Sequence, residues 1–282
     1  MDCPKKKGKS MKNSSPLYQM LCGAVLVMVL TLVGSLASPA LADTCVGNCG
    51  TLGANGVVPL SPAGSSAYTW VSTNLGVNGV GVLPTGALGD ETNGSTFASS
   101  LFSAAAGDPL HFFFDYTSSD GQGFADYAWA GLFNSSNSLV ALLFTARTTP
   151  SGDAVPGFGV PPPTATLSPA TVAINPGATT WAPLGGSSGT CFIAVGQGCG
   201  STGWVSSTYT IATSGDYYVK VGVVNWSDTL FDSGLALDGL TIAGEPIGGG
   251  GPPSTTPEPA STVMLASGLA AMFALRRKRA AR

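Results

Sequence analysis

The sequence predicts an all-β fold, a single antiparallel β-sandwich or jelly-roll-like domain over residues 43–243, from three observations. Helical periodicity is nearly absent along that stretch, while strand-like runs bounded by Gly, Asn, Ser and Asp recur. The 282 residues include 39 Gly and 20 Pro, so glycine stands at twice its usual share of about 7%. Charged residues make up only 10%, too few for a coiled coil or a long helical array.

Taken in order, the candidate strands are 67–73, 96–103, 110–117, 127–133, 139–146, 205–211, 217–226 and 235–242. In the third, Leu110, Phe112, Phe114 and Tyr116 share one face and His111, Phe113 and Asp115 the other. Two largely apolar faces suit a central strand of a sandwich. In the seventh, Tyr217, Val219, Val221 and Val223 alternate with Tyr218, Lys220 and Val224. Residues 148–183 hold eight prolines, including Pro161-Pro162-Pro163, and read as a long surface excursion because proline cannot donate to a central ladder.

The two ends read as addresses. Lys5, Lys6, Lys7, Lys9 and Lys12 precede an apolar run from Met20 to Ala37, and Ala40-Leu41-Ala42 closes it. A positive region, an apolar region and a small-x-small site together read as a secretory signal peptide over residues 1–42, with Ala40 and Ala42 at the cleavage site. Its route is the Sec machinery. The alternative is a retained anchor, since the run approaches spanning length. A lipoprotein is disfavoured, because Ala42-Asp43-Thr44 before Cys45 is no lipobox. At the other end, residues 244–256 form a Gly-, Pro-, Ser- and Thr-rich linker. Pro257-Glu258-Pro259 follows, then an apolar stretch from Ala260 to Leu275 and the cluster Arg276-Arg277-Lys278-Arg279. As a helix that stretch would cross most of a bilayer, with the basic cluster left cytoplasmic.

Between the addresses the chain is acidic. Arg147 and Lys220 face 13 carboxylates from residue 43 to residue 256, a formal charge of −11. Such a body lacks the electrostatic footprint of a nucleic-acid partner. Once the signal is removed with Cys3 and Cys22, four cysteines remain: Cys45, Cys49, Cys191 and Cys199. An even number in an oxidising compartment favours disulfides. Three connectivities are open, with the local pairs Cys45–Cys49 and Cys191–Cys199 preferred and a four-thiolate zinc site as the rival.

Catalytic signals are thin. Gly185-Gly186-Ser187-Ser188-Gly189 matches G-x-S-x-G, but no strand-turn-helix surrounds it and the lone histidine, His111, lies upstream. The acids do cluster. Asp115, Asp120 and Asp126 form one group, and Asp228, Asp232 and Asp238 the other. Carboxylates and turn carbonyls are the hard oxygen ligands calcium takes, so calcium is the candidate cofactor, although neither stretch has EF-hand spacing. Aspartates that cap their own turns are the competing reading.

The C-terminal order of Pro-Glu-Pro, apolar stretch and basic cluster resembles the PEP-CTERM sorting signal of Gram-negative bacteria. The resemblance covers residues 257–282. It implies processing by an exosortase, a membrane cysteine protease-transpeptidase, near Pro257-Glu258-Pro259. It also implies transient anchorage in the inner membrane and delivery to the cell surface or an exopolysaccharide matrix. A family label linking the same tail to ice-binding proteins concerns the tail alone. Residues 117–121, 124–129, 225–228 and 232–240 resemble the bodies of a recurrent group of PEP-CTERM proteins with no activity to carry over. The expected function is a non-enzymatic, exported structural or adhesive protein linked to exopolysaccharide or biofilm. The alternatives are a calcium-assisted carbohydrate-binding module, with Trp129, Trp181, Trp204 or Trp226 as sugar platforms, and a glycosidase. Ice binding comes last, because no repeating flat threonine array is present.

Overall fold

The computed structural model describes residues 43–121, 124–148, 152–192 and 198–248. The signal segment with Ala40 and Ala42, and the tail with Pro257, Glu258, Pro259, its apolar stretch and Arg276, Arg277, Lys278 and Arg279, lie outside the described residues. Among those described, no helix is long and apolar enough to cross a membrane.

The strands in the first half of the body are β1 (Thr44–Val46), β2 (Asn48–Leu52), β3 (Tyr68–Ser72), β4 (Val77–Asn78), β5 (Glu91–Ala98), β6 (Phe102–Ala104), β7 (Pro109–Ser118), β8 (Tyr127–Asn134) and β9 (Leu139–Arg147). The second half adds β10 (Asp153–Val155), β11 (Thr166–Ser168), β12 (Val172–Ala173), β13 (Asn175–Pro176), β14 (Gly200–Ser201), β15 (Val205–Thr210), β16 (Gly215–Trp226), β17 (Ser233–Ile242) and β18 (Glu245–Pro246). One antiparallel sheet has the order β1-β5-β16-β8-β9, with β4 and β6 on its margins. The other runs β11-β15-β7-β17-β3-β2, with β13, β14 and β18 attached.

The two sheets face each other across one apolar core, as the alternation requires. Leu110, Phe112, Phe114 and Tyr116 of β7 meet Tyr217, Val219, Val221 and Val223 of β16, with Ala128, Ala130 and Leu132 of β8 beside them. At the centre Phe114 stacks on Phe144 of β9, ring centroids 3.8 Å apart and planes 8° from parallel. Both outer faces are also covered. Leu83, Tyr127, Trp129 and Leu142 form a cluster outside one sheet, and Val58, Tyr68, Trp181 and Leu184 one outside the other.

The indoles of those outer clusters lie across strand glycines. A Cβ at Gly222 of β16 would stand 2.7 Å from the Trp129 ring, and one at Gly234 of β17 would stand 2.5 Å from that of Trp181. A strand glycine has no side chain to pack, but it lets a large ring approach the backbone closely. Trp129 then donates from Nε1 to the Gly81 carbonyl at 2.7 Å, and Trp181 from Nε1 to the Tyr68 hydroxyl at 3.0 Å.

The chain passes between the sheets at Gly47, whose φ of 91° lies in the left-handed region. β1 on one side of this corner belongs to the first sheet and β2 on the other side to the second. The Cys45–Cys49 disulfide therefore bridges the two sheets at their edge. At the opposite side of the chain's path, the ends of the body converge. The Ser100 amide donates to Asp43 Oδ1 at 2.7 Å, and a Cβ at Gly248 would stand 2.9 Å from Ser100 Oγ.

Three expectations change in detail. The second candidate strand, 96–103, divides into β5 and β6, because Ser99 turns out of the run to bond Val219. The proline-rich stretch is more than a surface excursion. Its β11 is an edge strand of the second sheet, and Val155, Leu167 and Trp181 are buried. Part of the expected linker also belongs to the body: Ile247 is 4% exposed and donates its amide to Leu240 at 2.9 Å.

Two stability outcomes are expected from urea titration. Gly222→Val drives side-chain atoms into the Trp129 ring and costs about 1–3 kcal/mol or more, as overpacking does. Phe114→Ala removes the central stack and costs about 3–5 kcal/mol.

Candidate functional site

At one end of the sandwich the inward-facing positions change from apolar to polar. The inner row of β7 passes from Tyr116 to Ser118, and that of β17 ends at Ser233. Asp126 lies just before β8, fully buried between them. Ser233 donates to Asp126 Oδ2 at 2.6 Å, and the Trp226 amide at the end of β16 donates to Asp126 Oδ1 at 2.8 Å. The Tyr116 hydroxyl donates to the Asp126 carbonyl at 2.8 Å, and Ser118 and Ser233 Oγ lie 2.8 Å apart. One carboxylate thus joins strands of both sheets where the hydrophobic core stops.

The other predicted aspartates fall into two sets. Asp120 lies beside this centre, with Oδ1 accepting from the Gly121 amide at 2.7 Å and Oδ2 buried without a hydrogen-bond partner among the described residues. Asp228 is half-buried, and its Oδ1 caps the Leu230 amide at 2.8 Å. Asp232 accepts from Thr73 at 3.1 Å and from Ser187 at 2.8 Å. Asp115 and Asp238 are elsewhere, on the outer face of the second sheet. Asp115 accepts from Ser201 at 2.8 Å, and Asp238 from Ser61 and, at 2.8 Å, from the Gly239 amide.

The electrostatics follow from burial, and among the described residues no cation is hydrogen-bonded to these carboxyls. Burial pushes the Asp115 carboxyl up to about 7, even though Ser201 and Thr202 hydrogen bonds oppose the shift. Burial pushes Asp120 up to about 8, and the nearby Asp228 charge adds to it. Asp126 is raised as well, by burial first and then by Asp120. Burial also raises Asp232. Arg147, the one arginine of the body, is engaged elsewhere: its Nε donates to the Ala125 carbonyl at 2.9 Å, and its guanidinium lies 4.4 Å from the Trp226 ring centroid.

These residues do not fit a calcium cage. Among the described residues, no group of three or more His, Cys, Asp or Glu side chains could hold a metal ion. Asp126, Asp232 and Asp238 each spend both oxygens on hydroxyl or amide donors of the chain itself. The turn-capping role is visible at Asp228 and Asp238, each bonding an amide one or two residues on.

Other candidates resolve as structural parts. Ser187 of the G-x-S-x-G sequence is bonded to Asp232 on a short 3₁₀ turn (Ala182–Ser187), without the strand-turn-helix of a nucleophile elbow. His111 stacks edge-on against Phe113 at 4.8 Å, and burial lowers its pKa. Trp129 and Trp181 are core residues and no sugar platforms, whereas Trp204 and Trp226 are half-buried. Cys191 pairs with Cys199, which leaves no four-thiolate set for zinc.

The sequence reading missed two features of this end. One is the Ser118 and Ser233 hydroxyls, whose signal was present: each occupies an inward position where the strand's own alternation calls for an apolar residue. The other is an aromatic rim. Phe192 lies 5.1 Å from Phe124 and 5.3 Å from Phe231, on three loops that converge over the acids. Phe192 is 43% exposed and Leu230 61%. Single phenylalanines in glycine- and serine-rich loops carry no periodic signal, so only the fold reveals the grouping.

Ser233→Ala leaves Asp126 Oδ2 short of its donor in a dry site, and is expected to cost about 1–3 kcal/mol in urea titration. A second expectation concerns pH. Asp115 has a native pKa above its ordinary 3.8, so the folded state binds the proton more tightly than the unfolded state. That contribution to stability is full below about pH 4 and is lost as pH rises through about 7. Asp115→Asn removes it, so its melting temperature should fall less than that of the parent between pH 5 and pH 8 in differential scanning calorimetry.

Comparison with known proteins places the identifiable signal outside this site. No curated protein matches the chain. Residues 255–279 match the PEP-CTERM protein-sorting motif. That match covers the Pro257-Glu258-Pro259 sequence, the apolar stretch and the basic cluster. The chain carries a PEP-CTERM protein-sorting motif at its C-terminal end, the mark of an exported protein that crosses a membrane and is processed by an exosortase.

Proposed function

We propose that the chain is a non-enzymatic structural or adhesive protein, delivered through its C-terminal motif to the cell surface or an exopolysaccharide matrix. The observation that carries this reading is the sorting motif at residues 255–279. In this reading the N-terminal segment enters the Sec machinery and is cut after Ala42. The Ala260–Leu275 stretch and the Arg276–Arg279 cluster then hold the chain in the inner membrane until an exosortase acts near Pro257-Glu258-Pro259.

The body supports the non-enzymatic part. A glycosidase needs two carboxyl groups that flank a substrate, one of them ready to donate a proton. Here Asp126, Asp232 and Asp238 are consumed by internal hydrogen bonds, and Asp115 and Asp120 are 0% and 1% exposed. A charge of −11 between the addresses suits a solvated surface protein and repels nucleic acid.

The test is mass spectrometry of the protein from fractionated cells of an exopolysaccharide-producing host that makes an exosortase. The mature chain should begin at Asp43, end near Pro257-Glu258-Pro259, and partition with the surface or matrix fraction. Glu258→Ala should leave the tail intact and the chain in the inner-membrane fraction. Blocking exopolysaccharide synthesis should shift the mature form to the medium. Recovery of the uncut chain in the cytoplasm would overturn the reading.

A further inference from the structure

One part of the second sheet's outer face lies beyond its apolar cover. The cluster of Val58, Tyr68, Trp181 and Leu184 takes in Ala236 of β17. Further along, the outward residues of β11 and β15, and His111 and Phe113 of β7, are half-buried or exposed. Strand register sets them in rows. Thr166 of β11 pairs with Thr208 of β15, Thr208 with His111 of β7, and His111 with Thr241 of β17. In the next row Ser168 pairs with Ser206, and Ser206 with Phe113. Thr241 reaches the outward side through the register shift between Asp238 and Thr241. Neighbours within a row stand about 4.8 Å apart from strand to strand, and the rows about 6.7 Å apart along the strands. Hydroxyls far apart in sequence thus form one flat, polar surface.

The chemistry of this face selects its occupant. His111 stands edge-on to Phe113, ring centroids 4.8 Å apart and planes at 82°. Burial lowers the His111 pKa, so at neutral pH its ring is uncharged and holds one donor and one acceptor. Ser206 donates to the Ser168 carbonyl at 3.3 Å and Thr241 to the His111 carbonyl at 3.4 Å, which leaves both oxygens able to accept. The acid beside the rows, Asp238, is 2% exposed and bonded to Ser61 and to the Gly239 amide. The two basic residues of the body, Arg147 of β9 and Lys220 of β16, belong to the other sheet. A polyanion therefore meets no cation here and is repelled by the formal charge of −11. A protein partner would find one large apolar side chain in the two rows, Phe113, too little for the apolar centre of an interface. A neutral sugar fits: its C–H face can lie on an aromatic ring while its hydroxyls exchange hydrogen bonds with the rows.

We propose that the β11–β15–β7 face binds a neutral polysaccharide chain, with Phe113 and His111 as its ring contacts and Thr166, Thr208 and Thr241 as its hydrogen-bonding partners. The proposal rests on the matrix reading above and deepens it, by naming the class of polymer and the face that holds it. His111 and Phe113 interrupt the hydroxyls, so the face is no repeating threonine array. The rows are held ready by the core beneath them. Leu110, Phe112 and Phe114 fix β7 from the inner side, and Ser207 of β15 donates to the Leu143 carbonyl at 2.9 Å. A ligand would then order no loop on binding, which saves conformational entropy.

Affinity electrophoresis of the full chain, in detergent micelles whose headgroups carry no sugar, tests the proposal. Native gels cast with hydroxyethylcellulose, galactomannan or dextran supply the neutral polymers, and alginate the anionic one. At least one neutral polymer should retard the parent chain, and alginate should not. Phe113→Ala and Thr208→Ala should each raise the dissociation constant for that polymer about ten-fold. Thr208→Ser, which keeps the hydroxyl, should bind like the parent, as should Tyr218→Ala on the other sheet. Melting temperatures establish that each variant is folded. The proposal is overturned if no neutral polymer retards the parent, if alginate retards it equally, or if folded Phe113→Ala and Thr208→Ala both bind like the parent. Retardation supports the proposal even where the chain fails to reach the matrix in cells, which separates it from the surface reading.

Discussion

The body depends on a carboxylate placed where a sandwich is weakest. Two facing sheets bury their apolar rows well in the middle, but at the ends the rows run out and polar backbone must meet water or a substitute for it. Asp126 is that substitute. It takes a hydroxyl from β17 and an amide from the end of β16, while its own carbonyl receives the Tyr116 hydroxyl of β7. Isolated, a buried carboxylate is costly; fully hydrogen-bonded, it fixes the relation of the strands that supply its donors. The neighbouring Asp120 and Asp228 charges add to burial in raising its proton affinity.

Much of the fold was legible because its strands alternate. The inner rows of β7 and β16 could be read directly, and both appear in the common core. What escaped was polar or glycine-rich for a physical reason. β5 opens with Glu91-Thr92-Asn93-Gly94-Ser95, which reads as a turn. In the fold, Asn93 accepts from Asn225 at 3.1 Å, and a Cβ at Gly94 would stand 2.2 Å from the Val223 carbonyl. Residues chosen for close approach and for hydrogen bonds at a sandwich end look, in one dimension, like loop residues.

The candidate site was half legible. Its six aspartates could be named from the sequence, but spacing along the chain did not distinguish the Asp120, Asp126 and Asp228 group from Asp115 and Asp238 on the outer face. Strand register makes that distinction: Asp115 pairs with Ala236 and Asp238 with Phe113, well inside the β7–β17 ladder. The disulfide pairs were preferred correctly, yet the Cys45–Cys49 bond does more than close a short loop. Its two cysteines belong to different sheets, so a local bond in sequence is a bond across the sandwich.

The convergence of Asp43 and Gly248 on Ser100 gives the body the topology of a nearly closed ring. Its first and last residues leave from one pole, and the acidic, aromatic pole belongs to the other ends of the same strands. Residues 43 and 248 thus bracket the ladders, and a cut outside them leaves every strand pairing intact. A short peptide joining residue 248 to residue 43 would complete the circle. The order in which the strands are synthesised could then be changed, by opening the chain at the Asn134–Leu139 hairpin for instance, with the pairing of the sheets preserved.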